Sequence, residues 1–558
     1  MRTSVVTNHA VVDATDLESW ITARHDLVIE EAVESSSGGP EALGPDTRAH
    51  EFRSIDGPFH VWRRTVTVAP AADATDGFEL TERIEHRLAV PIWHPVFALP
   101  IRRHLRRPPG ASTPWWAPPD VLSPRAATVL SLLCVFGLVA GYLGTLITQT
   151  LTYAAGEFGA STGDQGTLLA TVRIGVLLSM IIVAGADRRG RRAVLAMSLV
   201  AACAITALGA LAPGMAWLGA TQTFARAFAT VIGLLVAIIA VEEMPAGARA
   251  FAVSVLTMTA ALGAGLCVLN LLYVDLDGGA WRVAYLLPLV FIPVCWPLLR
   301  SLPETFRFTA RRDADLAAEA IAATLGHAEI DGSDHGEEDP RQGSAEISAR
   351  IDRRRFALLA SSGFLWSLFL APAAQFLNEF LRTERGFSGI GIAVFVLATN
   401  TPGGIGIVLG GRLADRRGRR LIGAIGIAGG VAFTVIAYLS WGWPLWVASV
   451  VASLIGAIAI PALAVYGPEL FPTHQRGRAN GALQVVSVCG SSLGLLSAGW
   501  LADRIGGIGP AIAVLAVGPA LLIVIVLTLY PETANRHLEE LNPSDAGLTD
   551  RSGSAGPR

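Results

Sequence analysis

Lysine is missing from all 558 residues, so every one of the 43 basic side chains is an arginine. No amine side chain is therefore present to carry a titrating proton. Cysteine is scarce as well. The five, Cys134, Cys203, Cys267, Cys295 and Cys489, fall in apolar runs without metal-ligand spacing, and they are expected to be packing residues, with neither disulfide nor metal implied. Charge is thin, 16% of residues against 52% hydrophobic, with a mean hydropathy of +0.49, which excludes an ordinary soluble domain of this length. The first 120 or so residues lack an apolar run long enough for a signal-peptide core. No phosphate-binding glycine loop, nucleophile–base constellation or metal cluster occurs, so the chain is not expected to be an enzyme or a nucleotide-driven pump. Neither a cofactor nor a nucleic-acid partner is expected.

What the chain does have is long apolar runs interrupted by repeated charged blocks. Gly411-Arg412-Leu413-Ala414-Asp415-Arg416-Arg417-Gly418-Arg419-Arg420 separates the runs Ile390 to Leu409 and Leu421 to Leu439. Each run is long enough to cross ~30 Å of hydrocarbon as a helix, which takes about 20 residues. The block is then a hairpin at the membrane edge, with Gly418 permitting a tight turn and the arginines marking the cytoplasmic side. The same string recurs at Asp187-Arg188-Arg189-Gly190-Arg191-Arg192. A topogenic stop explains arginines, but not this recurrence. Two further pairs repeat with nearly the same offset: Glu242-Glu243-Met244-Pro245 with Arg249 against Glu469-Leu470-Phe471-Pro472 with Arg476, and Pro303-Glu304-Thr305 against Pro531-Glu532-Thr533. The chain is thus a duplicated membrane protein.

On these motifs residues 126 to 541 resemble the major facilitator superfamily. Gly411-x-Leu413-Ala414-Asp415-Arg416-x-Gly418-Arg419-Arg420 is similar to its loop signature. Tyr466-Gly467-Pro468-Glu469-Leu470-Phe471-Pro472 with Arg476-Gly477, and the exit Pro531-Glu532-Thr533, look like the branch of sugar porters and organic-ion transporters. The first hairpin departs from the signature at Val183 and Gly185. The resemblance implies an all-α membrane fold of twelve helices in two six-helix pseudo-repeats. It also implies a cytoplasmic latch of Asp187, Arg188, Arg191, Asp415, Arg416 and Arg419 with Glu242, Arg249, Glu469 and Arg476 as partners.

In chain order, residues 1–120 read as a cytoplasmic extension, a small α+β domain. Phe59 to Val68 and Phe78 to Glu85 alternate like strands around a turn-rich stretch from Ala71 to Gly77, which predicts an antiparallel hairpin. The stretch resembles, faintly, a helix-grip domain of the kind that binds lipids or small ligands; a packing domain without a ligand is the favoured reading. Trp93, Phe97, Ile101 and Leu105 recur every fourth residue beside Arg102, Arg103, Arg106 and Arg107. This suits either a basic amphipathic helix on the membrane, in contact with anionic lipid, or, given Pro95 and Pro100, an irregular basic tether. Trp115 and Trp116 suit the headgroup layer.

The N-terminal bundle is placed at 121–301, a linker at 302–355, the C-terminal bundle at 356–530 and a cytoplasmic tail at 531–558. The spans expected are Ala126 to Thr152, Gln165 to Gly185, Ala193 to Leu211, Leu218 to Val241, Phe251 to Val274 and Val283 to Leu299, then Phe356 to Asn378, Ile390 to Leu409, Leu421 to Leu439, Leu445 to Tyr466, Ala482 to Leu501 and Ile508 to Tyr530. Twelve arginines fall in the loops after spans two, four, eight and ten and four in the intervening outer loops, which puts both termini in the cytoplasm. The linker is expected to begin with a helix, Arg311 to Leu325, and continue as an acidic tether.

Function should lie where polar groups are forced into the membrane. Arg173 in span two and Arg226 near the middle of span four have no obvious intramembrane carboxylate partner in the first half; a substrate anion could supply the charge, or helix carbonyls, Glu157 or water could. Tyr142, Thr145, Gln149 and Thr152 share a face of span one. Gln375, Asn378 and Glu379 cluster near the outer end of span seven, and Asn400 and Gln484 add single amides. Intramembrane amides also cement helix contacts. By the resemblance, spans one, four, seven and ten line the central cavity, and the arginine common in span four of the family falls near Gln222, one turn before Arg226. The span-one carboxylate of several proton symporters is missing, and so are the paired glutamines of sugar porters around Gln375, which demotes sugar uptake. Together these residues predict a monomeric secondary transporter of the inner (cytoplasmic) membrane working by alternating access on a small organic solute, by preference an organic anion. The coupling ion, a proton among the candidates, is left open. Export of hydrophobic drugs by the same fold is the first alternative. A non-transporting sensor signalling through the N-terminal domain is the second.

Overall fold

A computed structural model describes residues 3–33, 48–71, 77–109, 113–114, 116–185, 189–305, 309, 352–464, 466, 470–471 and 476–532, the side chains of 14, 246, 408, 411, 412, 415, 476 and 477 excepted. The expected linker helix from Arg311 to Leu325, the acidic tether and Trp115 lie outside the described residues.

The N-terminal extension is a small α+β domain. Its five-stranded antiparallel sheet has the order β1 (Ser4–Asp13), β5 (Gly77–Leu88), β4 (Phe59–Pro70), β3 (Arg48–Asp56), β2 (Ile29–Ala32). The expected hairpin is β4–β5, paired from Phe59 with Leu88 to Pro70 with Phe78. One face is covered by α1 (Ala14–Ile21), capped by the Asp13 carboxylate on Asp16 N, and by α2 (His94–Leu105). Alternation along β4 and β5 turns Trp62, Arg64, Val66 and Val68, and Leu80, Glu82, Ile84, His86 and Leu88, inward. Two apolar clusters result, Trp20, Phe52, Val66, Val68 and Leu80 at one end and Val6, Val28, Phe59, Trp62, Ile84 and Leu88 at the other. Between them lies a buried charge network. Arg64 bonds Glu82 at 2.6 Å and Glu30 at 2.8 Å, Arg24 bonds Asp26 at 3.2 Å, and His104 bonds Asp26 at 2.8 Å. Charges taken out of water are tolerated only when matched in this way.

The basic segment is therefore a continuous helix through Pro100, but its apolar side faces the sheet and not a membrane: Ile101 and Leu105 complete the second cluster, with Phe97 and Trp116 packed against it. Two hydrogen bonds fasten the domain to the first span, Trp93 Nε1 to the Ser131 carbonyl at 3.1 Å and Thr128 Oγ1 to the Ala89 carbonyl at 2.9 Å.

Twelve of the described helices are long and apolar enough to cross a membrane: Pro124–Phe158, Thr162–Ala184, Arg191–Leu211, Met215–Glu243, Arg249–Leu272, Trp281–Ser301, Arg353–Glu384, Gly389–Ile407, Arg419–Leu439, Gly442–Ala464, Arg478–Ile505 and Ile508–Leu529. They are called spans one to twelve. The chain is a multi-pass membrane protein of two six-helix halves plus an α+β domain. Span one begins at a Ser123 cap with Pro124 in the first turn and ends on Gly159 in the left-handed region, φ 62°. Span two begins with a reciprocal Ser161/Asp164 capping box. Pro402 interrupts span eight after Asn400, because it cannot donate to the preceding turn. Spans one and five meet backbone to backbone at Gly141 and Gly263, where any side chain would collide with Ala260 and Leu138 carbonyl oxygens. Of the cysteines, Cys134, Cys203, Cys267 and Cys295 are buried in packed helices, whereas Cys489 is exposed on span eleven and packs no core.

Candidate functional site

The loops after spans two and eight turn alike. Gly190 and Gly418 have φ of 93° and 94°, a conformation that costs glycine little, and each starts the next span. Glu304, from the first Pro-Glu-Thr, accepts the Arg191 and Arg192 backbone N–H groups at 2.9 and 3.3 Å; Glu532, from the second, accepts those of Arg419 and Arg420 at 3.0 and 3.3 Å. A carboxylate thus satisfies orphan N–H donors at the start of spans three and nine and complements their helix dipoles. Sequence reading took Pro-Glu-Thr only as an exit from each half. The repeat itself carried the signal, since charged loop and exit motif recur together.

Around this end, Arg191 pairs with Glu242 at 2.9 Å, Arg125 with Glu243 at 3.0 Å, and Arg249 Nε lies 3.4 Å from the Met244 carbonyl. Arg416 is exposed. Asp187, Arg188 and Glu469 lie outside the described residues, as do the side chains of Asp415 and Arg476.

At the opposite end the halves grip each other. Asn378 on span seven donates to Gln149 Oε1 on span one at 2.8 Å and to the Gln149 carbonyl at 3.3 Å. One turn on, the Thr152 hydroxyl donates to Glu379, which Gln165 of span two also reaches. Beyond them Arg382 pairs with Asp275 at 2.8 Å and stacks over Tyr153, and Asp503 accepts the Gly163 N–H at 2.9 Å. Gln149, Thr152, Gln165, Asn378 and Glu379 are all buried. Among the described residues the side-chain hydrogen bonds and ion pairs between halves run from this end to mid-membrane, where Ser492 Oγ meets the Ala170 carbonyl at 3.4 Å. Sequence reading picks the polar cluster on span seven and its counterpart on span one, Thr152 included; that the two bond each other, and that Gln165, Asp275 and Arg382 join them, needed the packing.

The remaining candidates divide. Tyr142 is buried inside the first half, donating to the Ala284 carbonyl at 3.1 Å and accepting from Asn270 at 3.0 Å. Thr145 donates back to Gly141 O at 2.8 Å. Gln222 is buried against Gly209 and Tyr285, its Nε2 without a partner among the described residues. Gln375 is half-buried at a helix end, and Asn400 and Gln484 are exposed. Arg226 reaches from span four to the Gly144 carbonyl of span one, and Arg173 is close enough to feel its charge. Neither guanidinium makes an ion pair among the described residues; Glu157 is taken by Trp281 and Arg282, both at 2.6 Å. Two guanidiniums on neighbouring spans of the first half, without a counter-ion among the described residues, leave positive charge that an anion would relieve.

Twelve spans in two pseudo-symmetric halves, with repeated charged loops between them, give the chain the fold of major facilitator transporters. Residues 355–550 match the family model described as Major Facilitator Superfamily. Over 397 residues the chain is 25% identical to the niacin transporter NiaP of Acinetobacter baylyi (strain ATCC 33305 / BD413 / ADP1), covering 66% of this chain and 82% of that one. Among solved structures, the inward open xylose transporter XylE from E. coli is similar with a TM-score of 0.58 at 16% identity, over 75% of this chain and 99% of its own. The nucleoside transporter NupG is similar with a TM-score of 0.55 at 12% identity, over 72% of this chain and 100% of its own. The sugar and nucleoside transporters bear on the fold alone.

Proposed function

We propose that the protein carries a small organic anion across the cytoplasmic membrane by alternating access, the two halves rocking about a midplane site. The observation that carries this reading is the Arg173–Arg226 pair, two guanidiniums at membrane depth whose charge the described protein groups leave unmatched. A guanidinium cannot discharge at physiological pH, so its charge must be met by water, by dipoles such as the Gly144 carbonyl or by a bound anion. The niacin transporter among the relatives is in keeping with this, since niacin is itself a small carboxylate. On this reading that end, both termini and the α+β domain face the cytoplasm, which the arginine-rich loops after spans two, four, eight and ten support through the positive-inside bias. On the same reading the seam of Gln149, Asn378, Thr152 and Glu379 closes the external side, and solute reaches the site from the cytoplasm. The charged loops around Arg191, Glu242, Asp415 and Arg416 act as the latch of the opposite state. One protomer holds the whole pathway, so the working unit is a monomer.

Solute counterflow tests this. Proteoliposomes preloaded with unlabelled nicotinate should transiently accumulate labelled nicotinate or benzoate added outside, and protein-free vesicles should not. Counterflow with nicotinamide or a neutral sugar and none with either acid would refute the anion reading.

A further inference from the structure

The α+β domain contains a cavity of about 320 Å³ between β1, β5 and α2. Val6, Leu88 and Ile101 give it apolar walls, and His86, His94 and Arg102 its functional groups; among the described residues no carboxylate lines it. The charge network of the same domain is separate from it: Arg24 and Arg64 are matched there by Asp26, Glu30 and Glu82. The cavity's groups are not matched in this way. His86 is 8% exposed, on the inward face of β5 between Ile84 and Leu88, its ring edge-on to Phe59 at 5.7 Å, and its Nδ1 has no hydrogen-bond partner among the described residues. A buried polar atom left without a partner in a packed domain calls for an explanation, and an absent ligand is one. Burial first, and the neighbouring His94 second, hold the His86 imidazole below its ordinary value. It is therefore neutral at pH 7, able to donate from one ring nitrogen. Arg102 is exposed on α2 and presents the fork of donors that suits a carboxylate. An apolar chamber near the small end of ligand-pocket volumes, with a cationic side and no anionic one, selects a compact apolar body bearing one negative group.

We propose that this cavity is a binding site for a small organic anion, distinct from the transport pathway and held by His86, His94 and Arg102. Its position gives occupancy something to act on. The wall helix α2 starts one residue after Trp93, which bonds the Ser131 carbonyl, and β5 ends one residue before Ala89, whose carbonyl accepts from Thr128. Both walls are thus fastened to the first turns of span one. An anion drawing α2 toward β5 tightens the attachment of the domain to the membrane body.

The test uses the full-length protein in detergent micelles, with labelled benzoate as probe and benzamide as its uncharged isostere. A double variant, Arg102→Gln with His94→Gln, changes an exposed and a half-buried side chain and leaves the domain core intact. Wild type should show a saturable benzoate site that survives Arg226→Gln, and the double variant should weaken that site at least tenfold. Benzamide should compete poorly for it. Saturating benzoate should also slow amide exchange at residues 126–133 of span one in wild type but not in the double variant. Benzoate binding unchanged in the double variant, equal competition by benzamide, or no saturable binding left after Arg226→Gln would overturn the proposal; exchange in span one indifferent to benzoate would overturn the coupling. Failure of the transport reading shows instead as Arg226→Gln leaving flux and its own benzoate site untouched, which does not bear on Arg102 and His94.

Discussion

Replacing Arg226 by glutamine removes a charge from the membrane and keeps an amide in its place. The guanidinium has five N–H donors, and the one protein acceptor described for it is the Gly144 carbonyl, so a forked pair remains for a carboxylate. Charge-assisted hydrogen bonds contribute about 1.5–3 kcal/mol each. Two such bonds, less the cost of drying both groups, give a coupling of ~2–4 kcal/mol between Arg226 and the substrate charge. That corresponds to roughly a 30- to 900-fold change in affinity. The assay is a double-mutant cycle: a carboxylate and its neutral amide analogue, each titrated against wild type and Arg226→Gln. The carboxylate should lose that factor and the amide almost nothing. Equal weakening of both ligands, a coupling near zero, would assign Arg226 to the span four–span one contact alone and turn the cargo toward neutral or cationic compounds.

Other outcomes follow from the geometry. Glu304→Ala and Glu532→Ala each strip a carboxylate from two backbone N–H groups at a helix start, so each should destabilise by about 1–2 kcal/mol, read as a lowered thermal midpoint, with similar size in both halves; a large effect in one half only would break the pseudo-symmetric account. Gly418→Ala should fare worse than an alanine at an ordinary helix position, because φ is 94° and the new Cβ would lie 2.7 Å from Glu532 Oε2. For Asp26, burial pushes the carboxyl up, but the His104 hydrogen bond and the Arg24 charge outweigh it and hold it below its ordinary value of 3.8. A depressed carboxylate stabilises the domain above that value and stops doing so as pH falls through the lower folded one. Limited proteolysis of the extension should therefore accelerate in strong acid in wild type, and Asp26→Asn should show weaker protection already at pH 6.

The twelve spans were legible because hydrocarbon demands long apolar runs, and the duplication because charged loops stood out between them. The ends were less so. Span one was expected from Ala126 to Thr152 and runs Pro124–Phe158, since a helix continues past the apolar run when Ser123 and Gly159 cap it. In the extension β3 escaped notice: Arg48–Asp56 has one large buried apolar residue, Phe52, and is a strand because β4 pairs with it. Arg64 and Glu82 look like solvent-facing positions in a list of residues, yet both are fully buried against each other, and only tertiary pairing shows it. The site was half legible. Polar residues in apolar spans can be listed from sequence, but whether Asn378 serves a ligand or Gln149 depends on packing between halves that no local pattern encodes.

In each cycle the halves must part at the Gln149–Asn378 seam, and a reversible cross-link there would hold them together. Gln149→Cys with Asn378→Cys, in a Cys489→Ser background so that the exposed native thiol cannot react, places two thiols where side chains now touch at 2.8 Å. Joining them with a short bifunctional thiol reagent cleavable by reductant should stop nicotinate counterflow, leave nicotinate binding to detergent-solubilised protein intact, and let flux return on reduction. Full flux with the cross-link in place would contradict alternating access about this seam.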